Sequence, residues 1–354
     1  MQKDLKNTKN EEDQSSPYIK RAYIFVEIMI ILLCTLFINL ILSMLVPFDT
    51  ASGHIVEVVV IYYLIPTLSV ILGTWIGLYI VNFIFKSSDV ISSSQEIHPI
   101  KEVFSTFKVT KNNLKYQFMN TLLLLFLLFI PLDFIAYSIP GVLDFSINSL
   151  VGSNSQVFLS EETYVTFISS ALIVYLCVGL KEEFFFRAVS IQRGKHHIGK
   201  YSSIFLFSIA FGLSHVAYII TSDNLLADFI PALIWGLSAF IIGLIAGVFM
   251  IKRRWLIPLI IAHWLNNVIS ASALWLYNQQ SLTFGRISLI LYLPFLIVGV
   301  VLAILFRKHI AVEYKPYKQI FKKYAEESGP NKTGLVLTDI GVGFLIFLIA
   351  IMFL

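Results

Sequence analysis

Charge is scarce in this sequence: 14% of its 354 residues are Asp, Glu, Lys or Arg, against 57% that are hydrophobic, and the mean hydropathy is +0.80. Soluble domains carry roughly 25% charged residues, so an ordinary water-soluble globule of this length is excluded. Cysteine is scarcer still. Cys34 and Cys177 are the only two and both lie in apolar runs, which excludes a disulfide framework and a cysteine metal site. No small-residue cleavage site follows the first apolar run, so it reads as an uncleaved signal anchor. Internal repeats at a fixed period are absent. So is H-E-x-x-H, the compact pattern that sets two zinc-binding histidines on one helix face. The formal net charge of +4 does not point to nucleic acid, because the basic residues fall in short blocks between apolar runs.

What is present in abundance is hydrophobic length. Apolar spans run roughly over 22–46, 55–85, 116–139, 163–192, 202–221, 228–251, 255–277, 284–306 and 338–354. They predict an all-α polytopic membrane bundle of about nine transmembrane helices. Lys and Arg mark alternate connections. Lys3, Lys6, Lys9, Lys20 and Arg21 precede span 1, and Lys86, Lys101, Lys108, Lys111 and Lys115 separate spans 2 and 3. Arg193, Lys195 and Lys200 follow span 4, Lys252, Arg253 and Arg254 join spans 6 and 7, and seven more from Arg307 to Lys332 follow span 8. The intervening loops carry acids such as Asp144, Glu161, Glu162, Asp223 and Asp228, with Arg286 the exception at the edge of span 8. Because basic loops stay inside, this alternation predicts a multi-pass cell-membrane protein with a cytoplasmic N-terminus and a C-terminus outside.

The chain divides accordingly: a cytoplasmic tail (1–21), three N-terminal spans (22–162), a core rich in intramembrane polar residues (163–277), an eighth span (278–310), a basic cytoplasmic segment (311–337) and a final span (338–354). Two basic stretches have helical apolar spacing and are expected to lie on the membrane surface. One covers 99–111 with Ile100, Val103, Phe104 and Phe107, the other runs from Lys315 to Tyr324. Membrane lipids are therefore expected partners, and nucleic acid is not.

Ionisable groups inside a span are costly and mark functional sites. Span 4 carries Leu180-Lys181-Glu182-Glu183-Phe184-Phe185-Phe186-Arg187. On a helix Glu183 and Arg187 are four apart with the acid first, the favourable order for an ion pair. Glu182, turned about 100° away, is left to meet groups from other helices. Span 5 offers Phe211 and His215, and span 7 His263 and Asn267, each pair four apart on one face. Other features read as structural: Gly243 and Gly247 as a close helix contact, Pro140 and Pro258 as loop and kink signals, and Asp133 as a solitary acid with a structural hydrogen bond or a place close to the outer interface.

The order E-E-x-x-x-R, F-x-x-x-H, H-x-x-x-N, each on its own span, resembles the CPBP family of intramembrane proteases, which includes CAAX prenyl endopeptidases, Abi proteins and lysostaphin-resistance proteins. The resemblance covers roughly 163–277. It implies that Glu182 acts as general base on a water, that His215 helps hold that water, that His263 and Asn267 stabilise the oxyanion, and that Glu183, Arg187 and Phe211 support them. It implies a protein or peptide substrate, lipidated or not, and no cofactor. A zinc-dependent alternative would use Glu182, His215 and His263 as ligands, with the second carboxylate as base.

Further readings stand beside these. Gly212-Leu213-Ser214 resembles the G-x-S of rhomboid serine proteases, with His263 as base, but leaves Glu182, Glu183 and Asn267 idle. A non-proteolytic immunity or scaffold role has no need of aligned catalytic groups. A transporter would call for two related halves with broken helices, and no such symmetry is visible. By helix rise, Glu182 lies about 15 Å, His263 about 12 Å and His215 about 20 Å from the cytoplasmic ends of their spans, so convergence needs tilt or a later start to span 5. The site is expected to open towards the cytoplasm.

Overall fold

A computed structural model describes residues 16–46, 55–85, 99–151, 158–161, 163–222, 224–313, 315–328 and 331–350. Lys3, Lys6, Lys9, Lys86, Glu162 and Asp223, named above, lie outside them. The described residues contain helices and no strand, as expected of an all-α polytopic bundle. Nine of the helices are long and apolar enough to cross a membrane: α1 (Pro17–Leu45), α2 (Glu57–Phe85), α3 (Lys111–Tyr137), α4 (Tyr164–His197), α5 (Lys200–Ile220), α6 (Leu225–Arg253), α7 (Ile257–Gln279), α8 (Phe284–Leu305) and α9 (Lys332–Ile349). Four boundaries depart from the sequence reading by five residues or more. Helices α1 and α3 each start five residues early, at Pro17 and Lys111. Helix α4 runs on to His197, and α9 starts at Lys332, so the basic segment ahead of it is shorter than expected.

Four helices contain π-helical turns. Three of these, 60–64, 125–129 and 288–292, lie just ahead of Pro66, Pro131 and Pro294. A proline ring clashes with the carbonyl four residues earlier, and a widened turn relieves that clash. The fourth, Glu183–Ile191 in α4, has no proline to explain it and starts at the second carboxylate of the pair. Pro258 does not kink α7. It occupies the first turn, where the missing N–H costs nothing.

Helix α4 lies against α2, α5, α6 and α7, with α3 packed on α7 and α8 on α3, while α9 fills the side between α1 and α5. Helices α5 and α6 approach through small residues. A Cβ on Gly212 would sit 2.9 Å from the Gly236 carbonyl, and one on Gly243 would meet Ser208 at 3.0 Å, so the close contact read from Gly243 and Gly247 is present.

The basic connections are knitted together on one face. Arg21 of α1 pairs with the fully buried Asp339 of α9 at 2.6 Å and reaches Ser202 of α5. Arg193 pairs with Glu27, Arg253 with Glu313, and Glu102 with Lys195 at 2.8 Å and His196 at 3.0 Å. Glu102 lies on the 99–107 segment, which packs against protein: Val103 is fully buried, Phe104 and Phe107 stand against Phe184, and the Leu256 amide donates to the Thr106 carbonyl. The second basic stretch docks likewise, burying Ile320 and Tyr324, with the Tyr324 ring stacked on Phe205 at 4.4 Å and Glu327 accepting from the Tyr201 and Ser202 amides. Both stretches bury part of their apolar faces against the bundle and leave Phe104 41% and Phe321 64% exposed.

Candidate active site

The site forms where α4, α5 and α7 meet, and the two adjacent carboxylates have opposite fates. Glu183 is fully buried. One of its oxygens accepts from His263 Nδ1 at 2.8 Å, and the other lies 3.3 Å from Arg187 Nε. The Arg187 guanidinium is buried too, 4.0 Å from the centre of the Phe211 ring. Glu182 instead lines a cavity, with Oε2 lacking a hydrogen-bond partner and lying 3.8 Å from His263 Nε2. The separation comes from helix geometry: one residue's rotation sends Glu183 into packed protein and Glu182 into open space.

The cavity, about 130 Å³, is also lined by His215, His263, Asn267 and Phe211. Glu183 and Arg187 stand behind it. The ring of Phe129 stacks on His263 at 5.5 Å and fixes its plane. Hydrogen bonding fixes the histidine tautomers by inference. A carboxylate only accepts, so His263 carries a proton on Nδ1. His215 Nδ1 faces the Phe211 carbonyl at 3.0 Å and therefore carries its proton there, leaving Nε2 as an acceptor while the ring is neutral. The Ser214 hydroxyl donates to the same carbonyl at 2.7 Å, and Ser214 is not among the cavity's lining residues, so it is not placed as a serine nucleophile paired with His263.

Among the described residues no three His, Cys, Asp or Glu side chains are grouped as they would be around a metal ion. Glu182, His215 and His263, the zinc set expected in the alternative, are not grouped in that way.

Three aspects of the site differ from, or go beyond, the sequence reading. Helix α5 begins at Lys200, not later than Ser202, yet His215 and His263 share the cavity. The π-helical turns after Glu182 place more residues in each turn and shift the register of α4 beyond the pair. The cavity also extends away from the basic loops. Beyond Glu182 and His263 its lining continues through Tyr175 of α4, Tyr218 at the end of α5, Leu274 of α7 and Tyr137 at the end of α3. The basic side is filled by Phe104, Phe107 and Phe184 and by the buried Glu183 and Arg187. Finally, Phe129 and Asp133 of α3, Trp235 of α6 and Asn266 of α7 line the cavity without belonging to any motif. Asp133 bears its expected hydrogen bond, from Tyr292 at 2.6 Å. As an acid inside a span it gave a sequence signal, and Asn266 adjoins a motif, but nothing local marks Phe129 or Trp235.

Residues 164–269, which run from the start of α4 to just past Asn267, match the family model described as type II CAAX prenyl endopeptidase Rce1-like. No curated protein and no solved structure matches the chain. Over its motif-bearing helices the chain is thus similar to the Rce1-like prenyl endopeptidases, in agreement with the CPBP resemblance of its three motifs.

Proposed function

We propose that the protein is an intramembrane endopeptidase in which Glu182 activates water for attack on a peptide carbonyl. The Rce1-like match supports CAAX-type endopeptidase activity in general. The observation that carries the assignment of roles is Glu182 Oε2, without a hydrogen-bond partner and 3.8 Å from His263 Nε2, in a cavity shared with His215 and Asn267. That polar cavity has room for several waters. A water between these groups would donate one proton to Glu182 and one hydrogen bond to His215 Nε2, leaving an oxygen lone pair for attack. As the tetrahedral intermediate forms, the negative charge on the former carbonyl oxygen is met by Asn267 and by His263, whose Nε2 donates when the ring is protonated. The proton held by Glu182 then passes to the departing amine. Glu183 and Arg187 are positioning residues: the carboxylate holds the imidazole, and the guanidinium holds the carboxylate.

In this reading the substrate is a membrane-associated protein or peptide, lipidated or not. The basic face lies in the cytoplasm, as the Lys and Arg distribution supports. The test is cleavage of a quenched-fluorescent peptide library by the full chain in vesicles. Glu182→Ala, His215→Ala and His263→Ala are each expected to lower turnover by about 100-fold or more, with chelators leaving the wild type unaffected. Undiminished cleavage by Glu182→Ala sinks the assignment. Activity lost to a chelator and restored by zinc would replace it with the metal alternative.

A further inference from the structure

The catalytic groups occupy one end of the cavity, and its other end contains a carboxylate that the mechanism does not use. Asp133 lines the cavity within α3, four residues past the Phe129 ring that stacks on His263, or about 6 Å further along the helix. Its hydrogen-bond partner is the Tyr292 hydroxyl, which donates at 2.6 Å. Ser270 lines the same cavity about 10 Å beyond His263 on α7 and is hydrogen-bonded to the Tyr137 hydroxyl at 2.7 Å. No Lys or Arg lines the cavity. A carboxylate has about four acceptor positions, so one hydroxyl donor leaves hydrogen-bonding capacity on a carboxyl group that an apolar span otherwise penalises heavily.

A second group points the same way. Asn266 lies between His263 and Ser270 on α7, is 6% exposed, lines the cavity, and its Oδ1 has no hydrogen-bond partner. A buried amide oxygen left without a donor is costly unless something arrives to supply one. His263, Asn266, Ser270 and Asp133 thus form a row of polar groups on the cavity wall leading from the reacting centre away from the basic loops. A purely structural role for Asp133, tying α3 to α8 through Tyr292, explains one oxygen but neither its place on the cavity wall nor the orphaned Asn266 oxygen.

We infer that Asp133 and Asn266 form a substrate subsite, in which Asn266 accepts a backbone N–H of the bound peptide and Asp133 receives a cationic group of that peptide. The inference rests on the endopeptidase reading and narrows its substrate class to peptides bearing a Lys or Arg side chain or a free amine. An extended chain advances about 3.3 Å per residue, so a distance of about 10 Å puts the cation about three residues from the scissile bond.

The test walks one lysine along an otherwise uncharged, end-blocked, quenched-fluorescent peptide presented to the full chain in vesicles, with glutamine at the same position as reference. One lysine position near the third residue from the cut is expected to raise kcat/KM by about ten- to a hundredfold. Asp133→Asn should erase that preference and Asp133→Glu retain part of it. Tyr292→Phe, which removes only the structural tie, should leave it in place. The same peptides are also titrated onto Glu182→Gln by fluorescence anisotropy, with and without Asp133→Asn. Tighter binding of the lysine peptide that depends on Asp133 supports the subsite even if the wild type cleaves nothing, in which case the endopeptidase reading alone fails. Equal binding of both peptides, or a lysine preference that survives Asp133→Asn, overturns the proposal.

Discussion

Replacing either of the two adjacent glutamates by alanine should give opposite phenotypes. In Glu183→Ala the guanidinium of Arg187, 1% exposed, keeps its burial and loses its counter-ion, while His263 loses the acceptor at 2.8 Å. Removing one partner of a buried ion pair costs about 3–5 kcal/mol. A hydrogen bond to a charged group is worth about 1.5–3 kcal/mol on its own, but it belongs to the same network and does not add in full. The expected loss is therefore about 3–5 kcal/mol. Glu182 contributes no such pairing through its cavity-facing oxygen, and Glu182→Ala should alter stability by less than about 1 kcal/mol while lowering turnover by about 100-fold or more. The native thiol of Cys177, 6% exposed, is a suitable reporter: in a Cys34→Ser background, a thiol-reactive fluorophore in detergent reads unfolding as Cys177 becomes accessible. Glu183→Gln, which keeps an oxygen for His263 but not the charge facing Arg187, should fall between wild type and Glu183→Ala. If Glu182→Ala unfolds as early as Glu183→Ala, or Glu183→Ala as late as wild type, the division between a catalytic and a positioning carboxylate is wrong.

Other consequences are equally specific. A Cβ at Gly236 would stand 2.3 Å from Val216 Cγ2, next to His215, so Gly236→Ala should cost about 1–3 kcal/mol and reduce cleavage, whereas Gly341→Ala, with nothing within 4 Å, should do neither. Burial alone would raise the Glu102 carboxyl, but hydrogen bonds from His196 and Lys195 outweigh it and hold the group down at about 2. Its contribution is therefore complete above about pH 4.5 and is lost as pH falls from there through about 2, which protease protection of the 99–107 segment should follow in wild type and not in Glu102→Gln. Asp339→Leu should destabilise the chain by about 3 kcal/mol or more by stranding the buried Arg21, and adding Arg21→Met should recover part of the loss in the same thiol assay.

Much of this architecture is legible in the linear chain because the bilayer makes strict demands. A span must be long and apolar, and an ionisable group within it must have a reason to be there. Hydropathy therefore anticipates all nine long helices among the described residues, and the polar exceptions single out Glu182, Glu183, Arg187, His215, His263 and Asn267. Helical periodicity also separates Glu183, four residues ahead of Arg187, from Glu182. The less legible features depend on more distant partners. The basic stretches at 99–111 and 315–324 have the amphipathic pattern of surface helices, and only their contacts with Phe184 and Phe205 reveal that part of each apolar face meets protein.

What the sequence determined by itself was the inventory: how many helices are long and apolar enough to cross, which of them carry polar and ionisable side chains, and which ends carry the basic charge. What tertiary structure alone decided was where that chemistry has room to act. The π-helical turns of α4, the contribution of Phe129 and Asp133 from α3, and the cavity's course away from the basic face all arise from how separate helices pack. Hydropathy and periodicity are properties of one helix at a time, whereas a cavity is the space that several helices together fail to fill.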